Sequence, residues 1–393
     1  MAQEADRSFR FNRMELAGSL GDLGTLLPLG VGMIMLNEMH ATNVLVAAGL
    51  FYILAGLYFG VPVAVQPMKV IGAYAIAAGM TPHQIVSSGL WMGVFVLVLG
   101  VTGLIDFIGR YTPKSTVRGI QLAVGVVLLI EGLKLIVGPD PNLAVQTIGP
   151  MNTGWLLGAV GLVLTFLLLD NKKLPAALVL IILGIASGLL LGKPLDQKAF
   201  TWGFHMPGPV PYGWPGWNDF VWVIPVVVLP QLPMTIGNAI IANTDLAHEY
   251  FPEKAHRVTN RSVSISQGLA NLVSSLMGGI PMCHGAGGLA AHYRFGARTP
   301  GSNLYIGGML LVLALIFGEN IVSVLCLLPL SVLGVLLLFA GLQLALMIRD
   351  LRGRKDLFVA LLMLGVALVF NLAVAFIAGL VVAYAVRSTK IGA

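Results

Sequence analysis

The sequence predicts an all-α polytopic membrane protein of about fourteen segments, built as a 7+7 inverted-topology repeat with two half-helices (segments 3 and 10). Three observations carry this reading. The 393 residues are 57% hydrophobic and only 10% charged, where a soluble globular chain carries about 25% charged residues. Most basic residues fall on one side of an alternating topology. Two proline-led segments stand at corresponding places in the two halves of the chain.

The first observation removes whole classes. With a mean hydropathy of +0.89 the chain has too little charge to cover a soluble surface, and disordered, collagen-like and nucleic-acid-binding chains are excluded. Forty-eight glycines and twenty-one prolines lie mostly inside apolar stretches, as where membrane helices pack closely or break. Only two cysteines, Cys283 and Cys326, are present, both in apolar surroundings, so no disulfide framework is implied. No short apolar region with a small-residue cleavage site precedes the first span, and no removable signal peptide is expected.

A span needs about 20 predominantly apolar residues. Apolar runs between polar breaks give segments 14–37, 43–60, 62–80, 84–104, 116–137, 152–169 and 174–192 in the first half. The second half gives 220–243, 262–279, 281–294, 302–318, 321–348, 356–370 and 372–387. The last two are separate if the chain turns near Asn371; one long helix there would make the count thirteen. Residues 1–13 form an N-terminal tail, 14–192 the first repeat, 193–219 an extracellular linker, 220–387 the second repeat and 388–393 a C-terminal tail. The linker carries Trp202, Trp214 and Trp217, and tryptophan favours the membrane interface. Only six residues follow Arg387, so no C-terminal soluble domain is expected.

With the N-terminus cytoplasmic, 19 of the 23 Lys and Arg residues fall on the cytoplasmic side, and only Lys69, Lys134, Lys193 and Lys198 fall elsewhere. Positive-inside sorting produces such asymmetry. Both termini are then cytoplasmic, and the plasma (inner) membrane is the expected location. The net charge of +6 is a topology signal rather than a sign of an acidic partner.

The repeat is legible at segments 3 and 10. The first reads Val61-Pro62-Val63-Ala64-Val65-Gln66-Pro67-Met68-Lys69, the second Ile280-Pro281-Met282-Cys283-His284-Gly285-Ala286-Gly287-Gly288. Each predicts an extended start followed by a half-helix, and an odd number of spans per half makes them run oppositely. Segments 1 and 8 correspond through Gly18 to Thr25 and Leu229 to Asn238, polar passages within apolar helices. Secondary transporters share this layout, with a site at the bilayer midplane.

Proline suits the first helical position, and a helix N-terminus attracts anions through its free N–H groups and dipole. Lys69 is the basic residue placed at hydrocarbon depth, where a charge costs about 2.5–3.5 kcal/mol on insertion scales. It either serves an anion or makes a structural pair with Asp22. Gln66 offers an amide to an oxyanion or a helix-to-helix hydrogen bond. Gly285, Ala286 and Gly287 let an anion approach the backbone, or serve close packing. His284 donates to an anion, carries a coupling proton, or is a satisfied buried histidine. Asp22 and Thr25, and Gln231, Thr235 and Asn238 on one helical face, project polar groups toward the same plane. An intramembrane Asp22 is a functional candidate by default, for coupling. No metal-ligand spacing, triad or phosphate loop is present, so no cofactor, metal site or enzymatic activity is expected.

At these stretches the sequence resembles the type 1 molybdate transporters, a branch of the sulfate permease superfamily. Gln66-Pro67-Met68-Lys69-Val70-Ile71 looks like the first family motif. Pro281 to Ala290, continuing through Tyr293-Arg294-Phe295-Gly296-Ala297-Arg298, looks like the second, and Gly18 to Thr25 also fits. The departures are Val63-Ala64, His292 where an amide is more usual, and Pro300. The resemblance implies fourteen segments in core and gate domains with an elevator-like motion. It also implies a tetrahedral oxyanion substrate, molybdate before sulfate or tungstate. That dianion is expected between the half-helix ends, on N–H groups around Met68 and Gly285 to Gly287. Gln66, Lys69, Thr25, Gln231, Thr235 and Asn238 are expected to complete its shell. The partners are then the oxyanion, the lipid bilayer and a second copy in a homodimer, with no nucleic acid. The rival readings are a nucleobase or carboxylate permease on the same architecture, and an anion channel.

Overall fold

The computed structural model describes residues 9–111, 113–140, 143–148, 151–168, 171, 176–193 and 203–387. Arg7, Lys172, Lys173, Lys198, Trp202, Lys390 and the residues around them lie outside the described residues.

The first half holds α1 (Arg13–Leu36), α2 (Ala41–Phe59), β1 (Gln66–Pro67), α3 (Lys69–Ala78) and α4 (Pro82–Thr102). A short α5 (Leu104–Tyr111) leads to α6 (Lys114–Val137), the hairpin β2 (Thr147–Ile148) and β3 (Met151–Asn152), then α7 (Thr153–Leu168) and α8 (Ala176–Leu190). The second half holds α9 (Trp217–Tyr250), α10 (Asn260–Leu276), β4 (Met282–Cys283), α11 (Ala286–Phe295) and α12 (Gly301–Phe317). It closes with α13 (Asn320–Leu325), α14 (Leu330–Asp350), α15 (Arg354–Val369) and α16 (Leu372–Arg387).

Six of these helices, α1, α2, α4, α6, α9 and α14, are long and apolar enough to cross a membrane unaided. The half-helices α3 and α11 have ten residues each, roughly 15 Å, about half of a hydrocarbon core. The chain turns at Asn371, whose side chain accepts from the Val374 N–H; α15 and α16 are therefore two segments and the count is fourteen. One expected span differs. Residues 321–348 do not form one helix, because Pro329 lacks an N–H and disfavours helical backbone before it; α13 ends at Leu325 and α14 restarts at Leu330. Likewise α9 is longer than predicted and widens into π turns at Ile224–Val228 and Thr235–Ile241. Pro225, Pro230 and Pro233 remove N–H donors from this stretch, and the wider turns reseat the ladder.

The packing obeys the repeat. Exchanging segments one to seven for eight to fourteen turns the α4–α10 pair into α12–α2, and both pairs pack closely. The α6–α14 pair maps onto itself, and α1 on α8 becomes α9 on α16. Glycine makes the self-symmetric pair possible: a Cβ on Gly132 would meet the Gly334 carbonyl oxygen at 2.5 Å, and one on Gly125 the Gly341 oxygen at 2.6 Å. Segments 1–4 and 8–11 form the core; α6, α7, α8, α14, α15 and α16 form the gate. Core helices α1, α3 and α9 face gate helices α6 and α14.

β1 and β4 pair antiparallel, Gln66 opposite Cys283 and Pro67 opposite Met282. Two-residue strands leave backbone groups to satisfy inside the membrane, and two buried asparagines act as surrogate strands. Asn271 accepts from the Met282 N–H at 2.8 Å and donates to its carbonyl at 2.7 Å. Asn303 accepts from the Val63 N–H at 3.1 Å and donates to its carbonyl at 2.8 Å.

At the far end from the N-terminus, the segment 203–216 folds over the core. Its Tyr212 hydroxyl accepts from the His40 N–H at 2.6 Å and donates to the Gly278 carbonyl at 3.3 Å. Burial, with Glu319 nearby, pushes this phenol up to about 12. Lys193 and Asp140 form a buried ion pair at 3.0 Å on the gate.

Candidate functional site

Between core and gate lies a cavity of about 340 Å³, within the size range of small-molecule sites. Thr25 of α1, Lys69 of α3, Asn238 of α9 and Gly287 of α11 line it from the core; Gln121 of α6 and Gln343 of α14 line it from the gate. Arg294, Phe295 and Met347 stand at its rim, so it opens on the side where α1 and α6 begin and α11 and α14 end.

The two half-helix ends differ. Of the first-turn N–H groups of α3, Val70 and Ile71 donate to Gln231 Oε1 at 2.9 and 3.4 Å. The Met68 N–H donates to the Pro281 carbonyl at 2.8 Å. The α3 terminus is thus largely capped by α9, and Met68 is fully buried. At α11, the Gly288 and Leu289 N–H groups both turn back to the Gly285 carbonyl. Those of Ala286 and Gly287 have no acceptor among the described residues. The open helix end is that of α11, and Gly287 carries it into the cavity.

Lys69 reaches this end from the opposing half-helix. Its Nζ donates to Gln66 Oε1 at 2.9 Å, while Gln66 Nε2 donates to Asp22 Oδ1. The amide therefore bridges ammonium and carboxylate, so the pairing of Lys69 with Asp22, one of the two sequence readings, takes the form of a three-residue chain. The close approach depends on two glycines of α11. A Cβ on Gly285 would strike Gln66 Oε1, and one on Gly288 would strike Asp22 Oδ1 at 2.5 Å. Asp22 is 1% exposed; its Oδ2 accepts from Tyr52 Oη at 2.6 Å and lies 3.9 Å from His292 Nε2. His292 Nδ1 donates to the Gly18 carbonyl at 2.8 Å.

Four predicted residues thus meet in the cavity: Thr25, Lys69, Asn238 and Gly287. Half-buried Ala286 and buried Gly285 form the turn beneath Gly287. The other predicted side chains do not line it: Asp22, Gln66 and Met68 are buried outside it, and three more are directed elsewhere. Gln231 and Thr235 are buried and bonded to each other at 2.9 Å, because Gln231 serves the α3 backbone. His284 points away from the cavity: its Nδ1 donates to the Ala64 carbonyl at 2.7 Å and its Nε2 accepts from Ser266 at 3.1 Å. It lies between Phe51 and Phe59, with ring centroids at 4.7 and 5.6 Å. With both nitrogens engaged and no place in the cavity lining, it has the contacts of a satisfied buried histidine. Sequence reading missed Gln121 and Gln343; amides inside apolar helices were the available signal. It missed Asn271 and Asn303 too, since only the fold shows which backbone groups lack partners.

Two half-helices meeting at the centre of an inverted repeat, beside a cavity between core and gate, define a membrane transporter of the alternating-access class. The chain belongs to the family described as molybdate transporters of the MFS superfamily, which matches residues 14–128 and 225–344. Molybdate transporter 1 of Arabidopsis thaliana is 33% identical over 408 residues, covering 94% of this chain and 87% of its own. Molybdate transporter 1 of Chlamydomonas reinhardtii is 28% identical over 479 residues, covering 93% and 90%. Among solved structures, the transmembrane domain of a cyanobacterium bicarbonate transporter, BicA, aligns with a TM-score of 0.68 at 19% identity, covering 95% of this chain and 98% of that one. Murine solute carrier 26 family member A9, an anion transporter in the inward-facing state, aligns at 0.70 and 16% identity, covering 97% and 70%. MFS halves hold six spans and are related in parallel. The halves here hold seven and run inverted, so the fold follows these two structures.

Proposed function

We propose that this chain is a secondary transporter of a tetrahedral oxyanion, molybdate, bound at the membrane midplane and moved by alternating access of core against gate. The observation that carries it is the open N-terminus of α11: the Ala286 and Gly287 N–H groups have no acceptor among the described residues, and Gly287 and Lys69 line the same cavity. A helix dipole and one lysine together suit a dianion. The relatives' names supply molybdate; the site supplies an anion. Thr25 and Asn238 add neutral donors from the core, and Gln121 and Gln343 from the gate. Gln66 holds the lysine in place.

Nineteen of 23 basic residues on the N-terminal side support cytoplasmic termini. On that assignment the cavity opens inward. The reading is tested by molybdate uptake into proteoliposomes, with sulfate, tungstate and bicarbonate as competitors. Saturable uptake inhibited most by tungstate is expected, and Lys69→Ala should lower kcat/KM at least about 10-fold, the loss of one charge-assisted contact. Absence of saturable uptake, or unaltered uptake in both Lys69→Ala and Gln66→Ala, would refute it.

A further inference from the structure

On the membrane face of the core, α2 and α10 leave between them a groove of about 570 Å³. Leu50, Leu54 and Tyr58 form one wall and Ile265, Leu269 and Val273 the other. The groove runs from Thr259 to Met277, roughly 27 Å at helical rise, close to the thickness of a hydrocarbon core. Its lining is mainly apolar, with Ser266 and Ser274 along it and Thr259, Arg261 and Ser262 grouped at one end.

At that end Arg261 and Tyr58 line the groove, and Arg257 lies against Tyr58 just outside it. Arg261 lines the groove itself, is exposed, and donates one N–H to the Val101 carbonyl at 3.3 Å. Arg257 donates to the Tyr58 carbonyl at 3.2 Å, with its guanidinium 6.0 Å over the Tyr58 ring. Each guanidinium has five N–H donors, so one carbonyl contact leaves most of them uncommitted. The nearby carboxylate, Asp106, is engaged by Asn260 at 2.7 Å. A hydrocarbon-lined groove ending in a pair of arginines has the polarity of a phospholipid with an anionic headgroup, and basic pockets between membrane helices take such headgroups.

We propose that this groove is a specific site for one anionic phospholipid, with an acyl chain laid between α2 and α10 and its phosphate on Arg257 and Arg261. The occupant also touches the floor of the transport machinery. Ser266 and Phe51 line the groove, and both contact His284, by the 3.1 Å hydrogen bond and the 4.7 Å ring contact. His284 anchors the strand that opens into α11, so the bound lipid buttresses the half-helix from behind.

The test uses the full chain, delipidated in detergent and titrated with phosphatidylglycerol or phosphatidylcholine, with thermal unfolding and native mass spectrometry as readouts. Phosphatidylglycerol should raise Tm saturably by about 3 °C or more and be retained at one per chain, while phosphatidylcholine does neither. Arg257→Ala/Arg261→Ala should lose both effects and Arg257→Lys/Arg261→Lys should keep them. Ala270→Phe, which fills the groove and leaves the arginines intact, should lose retention. Equal effects of the two lipids would overturn the proposal. So would retention undiminished in the alanine pair or in Ala270→Phe, or inorganic phosphate reproducing the whole Tm shift.

Discussion

At the scale of single residues, the site turns on which polar group has already spent its hydrogen bonds. His284 and Asn238 were equal candidates in the sequence, yet one is fully engaged in the core and the other faces the cavity. His284→Ala removes two buried hydrogen bonds and two ring contacts, and should cost about 2–4 kcal/mol of stability. Its KM for molybdate should stay within about 2-fold of the parent. Asn238→Ala should do the reverse, raising KM with Tm nearly unchanged. Thermal unfolding and uptake kinetics on the same preparations separate the two. Asp22 is a proposed coupling group, since its carboxylate is linked through Gln66 to Lys69 at the cavity. Asp22→Asn should flatten the pH dependence of molybdate uptake; a profile that follows the parent would remove Asp22 from that role.

At the scale of elements, the half-helices exist because neighbouring side chains complete their backbone. A two-residue strand cannot satisfy its own edges, and an unpaired buried N–H or carbonyl costs about 1–3 kcal/mol. Asn271 satisfies both groups of Met282, and Asn303 both groups of Val63. Asn271→Ala and Asn303→Ala should therefore each destabilise the chain by about 2–5 kcal/mol. Asn271→Asp should not rescue, because a carboxylate cannot donate to the Met282 carbonyl. Denaturation in detergent measures this; a loss below about 1 kcal/mol in both alanine variants would show that the strands do not depend on these amides. The same logic explains the asymmetry of the two helix ends. Gln231 occupies the α3 terminus as a surrogate acceptor, while α11 has no such cap among the described residues and begins at the cavity.

At the scale of the molecule, the cavity reaches the surface at the exposed Arg294 and Met347, and the proposed state is open on that side. A cysteine at Thr25 should react with a membrane-impermeant thiol reagent applied from the side bearing the N-terminus. Cys326 is exposed and should first be replaced by Ser; Cys283 is buried. Molybdate should slow the labelling several-fold, and its onset gives an apparent Kd. Equal labelling from both sides would contradict a cavity closed at its far end. Core and gate meet through α1, α3 and α9 against α6 and α14, so a rigid shift between them carries Lys69 and Gly287 together.

Much of this architecture was legible in the chain. Apolar runs located the spans, proline at 62, 67 and 281 marked the broken segments, and odd-numbered halves required inversion. These follow from local chemistry: a missing N–H, a charge at depth, a hydrophobic length. The split at Pro329 obeyed the same rule and was overlooked because the flanking residues are uniformly apolar. What sequence alone could not decide was direction. Gln231, His284 and Asp22 are polar groups within apolar surroundings, and only the crossing of β1 with β4 determines which of them faces backbone, core or cavity. Long-range hydrogen bonds such as Gln231 to Val70 or His284 to Ala64 join residues 161 and 220 positions apart, and no local pattern encodes such a pairing. Sequence alone thus settled the solvent and the two broken, proline-led segments, and left thirteen or fourteen spans open until the turn at Asn371 was seen. The tertiary structure decided that one of the half-helix ends is capped by a distant glutamine, and that the lysine of one half lies beside the open helix end of the other, because both depend on long-range packing.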